Sequence, residues 1–257
     1  DLVPAENPYF VDGVVNLALL SIPTEPIYNP DGSFNYNQNS AAGSGPFVNP
    51  IAIANLYDDD LKQARILMGT YLELDFLKNF KFKTQLGLDF GNWKRAIYRP
   101  STLEFRGVAG PSNPTGRDFN TQQYNWLTEN TLTFNKSFNE SHNVNILLGY
   151  TAQKNLRERT GLIATDYPND LVQTINSDTN TITSAFSAND EWALLSYLSR
   201  FMYDYKGKYL LSASFRRDGS SRFGANTKWG NFPSLAVGWR VSDETFFNNK
   251  IINDLKL

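Results

Sequence analysis

The chain has 257 residues, of which 41% are hydrophobic, 19% charged and 14% aromatic, and its formal net charge is -2. That balance gives no polyanion-binding surface, so no nucleic acid is expected as a partner. Without cysteine, and with His142 as the one histidine, the sequence cannot assemble disulfides, thiolate centres, the common zinc sites or histidine-based triads.

Residues 1–60 read as an outer loop region. Asn7-Pro8, Pro23, Pro26, Asn29-Pro30-Asp31-Gly32 and Asn49-Pro50 place turn formers too densely for long elements. The apolar run 14–22 (VVNLALLSI) fits a short helix or a strand end, and 40–45 (SAAGSG) a flexible loop. Asp58-Asp59-Asp60 lacks the alternating oxygen ligands of a calcium loop and reads as a solvated charge run.

Strict alternation then begins. Ala64, Ile66, Met68, Thr70, Leu72, Leu74 and Phe76 share a face, opposed mainly by Arg65, Gly69, Tyr71, Glu73 and Asp75, with Leu67 breaking the rule. Phe80, Phe82, Thr84, Leu86, Leu88 and Phe90 repeat the pattern against Lys81, Lys83, Gln85, Gly87, Asp89 and Gly91. A two-residue period puts these sets on opposite sides of a sheet. Further strands are expected near 122–134, 143–157, 192–205, 209–217 and 235–242, about seven in all within 61–257. Several match or exceed the roughly 9–11 residues that cross a bilayer at a tilt.

The expected connections alternate in length. Leu77-Lys78-Asn79, residues 135–142 and Lys206-Gly207-Lys208 are short, whereas 100–121, 160–191 and 218–234 are long. Outer-membrane barrels sort their turns in this way, short ones toward the periplasm and long ones outside. Tyr197, Phe201, Tyr203, Tyr205 and Tyr209 gather around one short turn, as aromatic girdles do at headgroup level. Mean hydropathy is -0.41, which a barrel tolerates because every second residue faces water. His142, between Ser141 and Asn143, reads as a plain turn residue. The fold class expected is all-β: a section of a large antiparallel transmembrane β-barrel with long extracellular loops. A soluble or surface β-sheet module for binding or structure is the alternative.

The densest patch is 209–247. Arg216-Arg217 would end a strand, Asp218-Gly219 open a turn, and a new strand start after Pro233. Gly219 and Gly224 lack the Gly-Lys-Ser/Thr partner of a phosphate loop. Within it stand Arg217-Asp218-Gly219-Ser220-Ser221-Arg222-Phe223-Gly224, Lys228-Trp229-Gly230, Phe232-Pro233-Ser234 and Gly238-Trp239-Arg240. This block resembles SusC/RagA-type TonB-dependent transporters. So do Tyr28-Asn29-Pro30-Asp31-Gly32, Leu77-Lys78-Asn79-Phe80-Lys81-Phe82-Lys83 and the expected outer loop Tyr167-Pro168-Asn169-Asp170.

The resemblance implies a plugged barrel of about 22 strands in the bacterial outer membrane. It also implies import of oligosaccharides or peptides, powered through TonB, with a SusD-like surface lipoprotein as partner and outer-membrane lipid around the wall. Plug, TonB-contacting segment and remaining strands are expected outside this sequence. A motif shared by transporters of different cargo points to an architectural role for the block. No cofactor, metal site or catalytic residue is assigned, since no facing pair of carboxylates is apparent.

Overall fold

The computed structural model describes residues 14–36, 38–39, 46–103, 113–247 and 251–257. Asn7-Pro8 and residues 40–45 lie outside these, as do residues 104–112 of the expected 100–121 connection. The elements in chain order are α1 (Val14–Leu20), β1 (Gln38–Asn39), β2 (Pro46–Phe47), α2 (Pro50–Leu56), β3 (Asp58–Phe76), β4 (Phe80–Arg99), β5 (Thr115–Phe138), β6 (His142–Thr165), β7 (Thr181–Tyr205), β8 (Tyr209–Ser220) and β9 (Trp229–Trp239). Strands β3 to β9 form one antiparallel sheet in chain order, and β1 pairs with β2 in a separate short ladder. The run 14–22 resolves as helix rather than strand.

Short turns bring β3–β4, β5–β6 and β7–β8 together as hairpins, and β4–β5, β6–β7 and β8–β9 pair across the longer connections. Leu77-Lys78, Asn139-Glu140 and Lys206-Gly207 all have positive φ, the two central positions of a type I′ hairpin turn. That turn's twist matches the right-handed twist of the strands it joins.

The strands run longer than the alternation predicts. β5 begins at Thr115, β6 continues to Thr165 and β7 starts at Thr181. The connections expected at 100–121, 160–191 and 218–234 are correspondingly shorter. Asp218-Gly219 is not a turn: both residues lie inside β8, opposite Ser196 and Leu195 of β7. Nor does the last strand start after Pro233. It starts at Trp229, with Pro233 opposite Phe215, and ends at Trp239, where Val241–Asp243 forms a 3-10 turn.

The chain divides into two compact units. One contains Asp1–Ala64, Asn92–Thr121 and Arg159–Ala188, and so carries the β4–β5 and β6–β7 connections. Its buried cluster is Leu17, Val48, Ala52, Ile53 and Leu103. Asn49-Pro50, expected as a turn, starts α2: the Asn49 side chain accepts from the Ile51 and Ala52 amides at 3.0 and 3.2 Å, with Pro50 in the first turn. The same side chain donates to Ile27 and Asn35 carbonyls, tying the helix to the Tyr28–Phe34 turn. Asp58-Asp59-Asp60 opens β3, and Asp59 takes a bidentate ion pair from Arg95 rather than standing free in solvent.

The other unit contains Arg65–Gly91, Gln122–Glu158 and Asn189–Leu257, with the short turns and the β8–β9 connection. Its apolar residues are not collected into a core. Leu235 and Val237 of β9 are 72% and 77% exposed, and Met68, Leu72, Leu86 and Leu148 are exposed as well. A water-soluble sheet would cover such a face.

Candidate functional site

Register fixes what each face of the second unit presents. Tyr197, Phe201, Tyr203 and Tyr205 of β7 stand opposite Arg217, Ala213, Leu211 and Tyr209 of β8, which in turn face Asn231, Leu235, Val237 and Trp239 of β9. The intervening residues make the polar face: Ser196, Arg200 and Asp204 against Asp218, Ser214 and Leu210, then Gly230, Ser234 and Gly238.

The polar face is stitched by pairs of opposite charge and by amides. Arg65 donates both guanidinium nitrogens to Asp89 at 2.9 Å, Lys81 donates to Glu73 at 2.6 Å, and the Lys83 ammonium lies 5.1 Å from the Tyr71 ring centre. Steps along β3 match reverse steps along β4, so each pair sits directly across the hairpin. Asn145 donates to Asn135, Ser137 to Asn143 at 2.6 Å, and Asn143 to Asp204 at 2.8 Å. Arg216 donates to Asp218 at 2.7 Å. Chemically this face offers hydroxyls, amides and charges of both signs to a polar solute.

The predicted motif does not converge on one site. At one end of the β8–β9 hairpin, Trp229 lies against Gly219, where an added Cβ would meet its ring at 2.9 Å. The Arg217 guanidinium is 4.8 Å from the same ring, and Tyr197 stacks on it at 6.2 Å. Ser221 and Ser220 close this end: the Ser221 hydroxyl accepts from Ala193 N–H, and Ser220 from Arg222 N–H. Phe223, Gly224 and Lys228 lie in the exposed connection, where Arg222 covers the Trp192 ring at 5.0 Å. On the opposite face the Phe232 ring covers Gly230. Pro233 and Ser234 are mid-strand.

Gly238, Trp239 and Arg240 lie at the other end of β9, ten residues from Trp229 and so about 33 Å away along the strand. Gly238 admits Leu210 from the neighbouring strand. There the Glu244 carboxylate accepts from Tyr209 hydroxyl at 2.7 Å, Trp239 indole at 3.2 Å and Lys208 at 3.2 Å. Those bonds, the Tyr209 one foremost, hold its carboxyl below the ordinary range. Nothing in the local sequence marked Glu244. His142, expected as a turn residue, opens β6 instead and shares a 2.6 Å hydrogen bond with Tyr203.

In the first unit, Asp170 of the Tyr167-Pro168-Asn169-Asp170 segment forms a clamp. It accepts from Tyr98 hydroxyl at 2.9 Å, Ser101 N–H at 2.9 Å and Ser101 hydroxyl at 2.6 Å. Burial pushes its carboxyl up, but these donors outweigh burial and hold it below the usual range. Tyr167 packs edge-on against Tyr98 at 5.1 Å and lies over Gly116, where a Cβ would overlap its hydroxyl.

No family model matches the chain. It is 38% identical over 213 residues to TonB-dependent receptor P39 of Formosa agariphila, covering 81% of this chain and 20% of that protein. TonB-dependent receptor SusC of Bacteroides thetaiotaomicron is 45% identical over 65 residues, 25% of this chain and 6% of that protein. The structure of the RagAB peptide transporter superposes with a TM-score of 0.74 at 19% identity, covering 93% of this chain and 27% of that one. The chain thus spans about a fifth of the length of the first of these curated relatives.

Proposed function

Since the chain belongs to the SusC/RagA-type TonB-dependent receptors, proteins of the bacterial outer membrane and not enzymes, we propose that it forms part of the wall of an importer. The cargo is an oligosaccharide or, second, a peptide. One observation carries this reading: the seven-stranded sheet exposes a continuous apolar face and backs it with a hydrogen-bonded polar one. The apolar face meets lipid and the polar face lines the passage. Residues 1–60 precede the wall on the outer side, and 61–257 supply its strands. Plug and TonB contact belong to other parts of the full receptor. A SusD-like surface lipoprotein sits over the long connections, which face outward, while the short turns face the periplasm.

The test uses the full receptor in its host. Deleting its gene should abolish growth on one class of glycan or peptide, and detergent extracts of outer membrane should yield receptor and lipoprotein together. Recovery of the receptor from the soluble periplasmic fraction would sink the proposal.

A further inference from the structure

The polar face of the second unit carries a dent of about 330 Å³, lined by residues of β3, β4, β5 and β6. Polar groups converge on it. Asp89 takes both guanidinium nitrogens of Arg65 at 2.9 Å, and the Gln153 amide donates to Asn125 at 3.2 Å. Each Asp89 oxygen keeps a lone pair, and the amide pair has the Asn125 NH2 and the Gln153 carbonyl left to offer among the described residues. Leu67, the residue that breaks the alternation of β3, adds apolar surface 67% exposed on this polar face. Met68 and Leu88 also border the dent, but their side chains alternate to the other face.

Gly69 and Gly87 complete the lining. Neither has the positive φ that calls for glycine, and neither is crowded. A Cβ at Gly69 would meet nothing within 4 Å, and one at Gly87 would meet Leu127 Cβ at an ordinary 3.8 Å. Glycine weakens a strand interior, so what these two residues contribute is the space itself.

From this arrangement we infer that the dent is a subsite for one ring of a neutral sugar on its way through the lumen. The inference deepens the importer reading and rests on it. A pyranose has a rim of hydroxyls, each both donor and acceptor, and C–H faces that suit apolar surface. Asp89, Asn125 and Gln153 match the rim, and Leu67 and Leu127 match the faces. Asp89 is the one charge in the lining and Arg65 already neutralises it, so an ionic cargo finds no free counter-charge there. A peptide held by its backbone would need a free strand edge, and β4, β5 and β6 are paired on both sides.

Free hexoses test a site for one ring, so glucose, galactose and mannose at millimolar concentration are the probes, with glucuronate and trialanine beside them. Saturation-transfer NMR on the full receptor, purified in a detergent without a sugar headgroup, reads contact through the ring C–H protons. Gly69→Phe fills the dent from a position with open space, so the difference between wild type and this variant is the dent's own signal. Transfer to at least one of the hexoses is expected, with none to glucuronate or trialanine. Asn125→Ala and Gln153→Ala should each weaken hexose binding about fivefold, and heat-modifiable gel mobility confirms that every variant is folded. No transfer to any hexose, or transfer that Gly69→Phe leaves intact, overturns the subsite. Transfer to trialanine or glucuronate that Gly69→Phe removes overturns the neutral sugar as its occupant. Growth lost on deleting the gene, without hexose transfer, overturns the subsite and leaves the importer standing. Growth unchanged by the deletion overturns the importer even where the dent binds a hexose.

Discussion

Asp170 shows how a single side chain fixes a connection that the sequence leaves open. Its three donors come from Tyr98 and Ser101, about seventy residues away in the chain. The bonds join the segment after β6 to the end of β4. Losing the charge in Asp170→Asn removes charge-assisted bonds worth about 1.5–3 kcal/mol together with their geometry. The Ser101 amide should then exchange faster with solvent, measured by hydrogen–deuterium exchange on the folded receptor. pH should act in the same direction. The folded carboxyl sits below its unfolded value near about 4. Its stabilisation is therefore complete above that value and is lost as pH falls through the lower folded value. Wild type should lose Ser101 protection in that acid window, while Asp170→Asn should start low and show no such transition. Unchanged protection in the variant at neutral pH would show that packing of Tyr98 on Tyr167 holds the connection alone.

Among elements, the strands divide by what made them legible. Where one face is apolar, as in Phe80, Phe82, Leu86, Leu88 and Phe90, the two-residue period announces the strand unaided. The first residues of β5, Thr115-Gly116-Arg117-Asp118, and of β7, Thr181-Ile182-Thr183-Ser184, carry no such alternation. They are strands because a neighbour offers a ladder, and outside a membrane neither face needs to be apolar. That is also why Asp218-Gly219 looked like a turn: the dipeptide has turn chemistry, but β7 and β9 on either side supply partners for its backbone. Within the short turns the opposite holds, since Leu77-Lys78 lacks the Asn-Gly composition that usually marks a type I′ turn yet adopts it. Replacing Leu77-Lys78 by Asn-Gly should relieve left-handed strain and raise stability by about 1 kcal/mol. A shift of the receptor's urea-unfolding midpoint to higher concentration checks this. The ion pair across the same hairpin predicts a smaller effect. Arg65→Asp sets two carboxylates face to face and should cost about 0.2–1 kcal/mol, toward the lower end because Arg65 is largely exposed. Adding Asp89→Arg should recover the loss, and failure of the double variant to recover would mean that the two residues act independently.

For the whole molecule, the sequence displayed the wall and its family but not what each residue of the family block does. Alternation and sorted turn lengths suffice for the wall because both are periodic along the chain. The contact of Trp229 with Gly219 arises from register between strands, and Glu244 reaches Tyr209 through the turn after β9; no local pattern contains either. Register also shows where the sheet is vulnerable. β3 and β9 are its terminal strands, and every residue of β3 is exposed. Each outer edge presents a row of backbone groups that hydrocarbon cannot satisfy, at several kcal/mol per group. In the full receptor, flanking strands are expected to pair with both edges. A polypeptide of residues 1–257 alone should therefore not insert as a monomer. It should aggregate edge to edge or stay bound to chaperone, because an open, long and apolar strand edge is a template for pairing. Sedimentation in detergent would show large species, and gel mobility would not change on heating. A discrete, heat-modifiable monomer would mean that this sheet closes on itself, which seven strands in the observed order can do only if β3 pairs with β9.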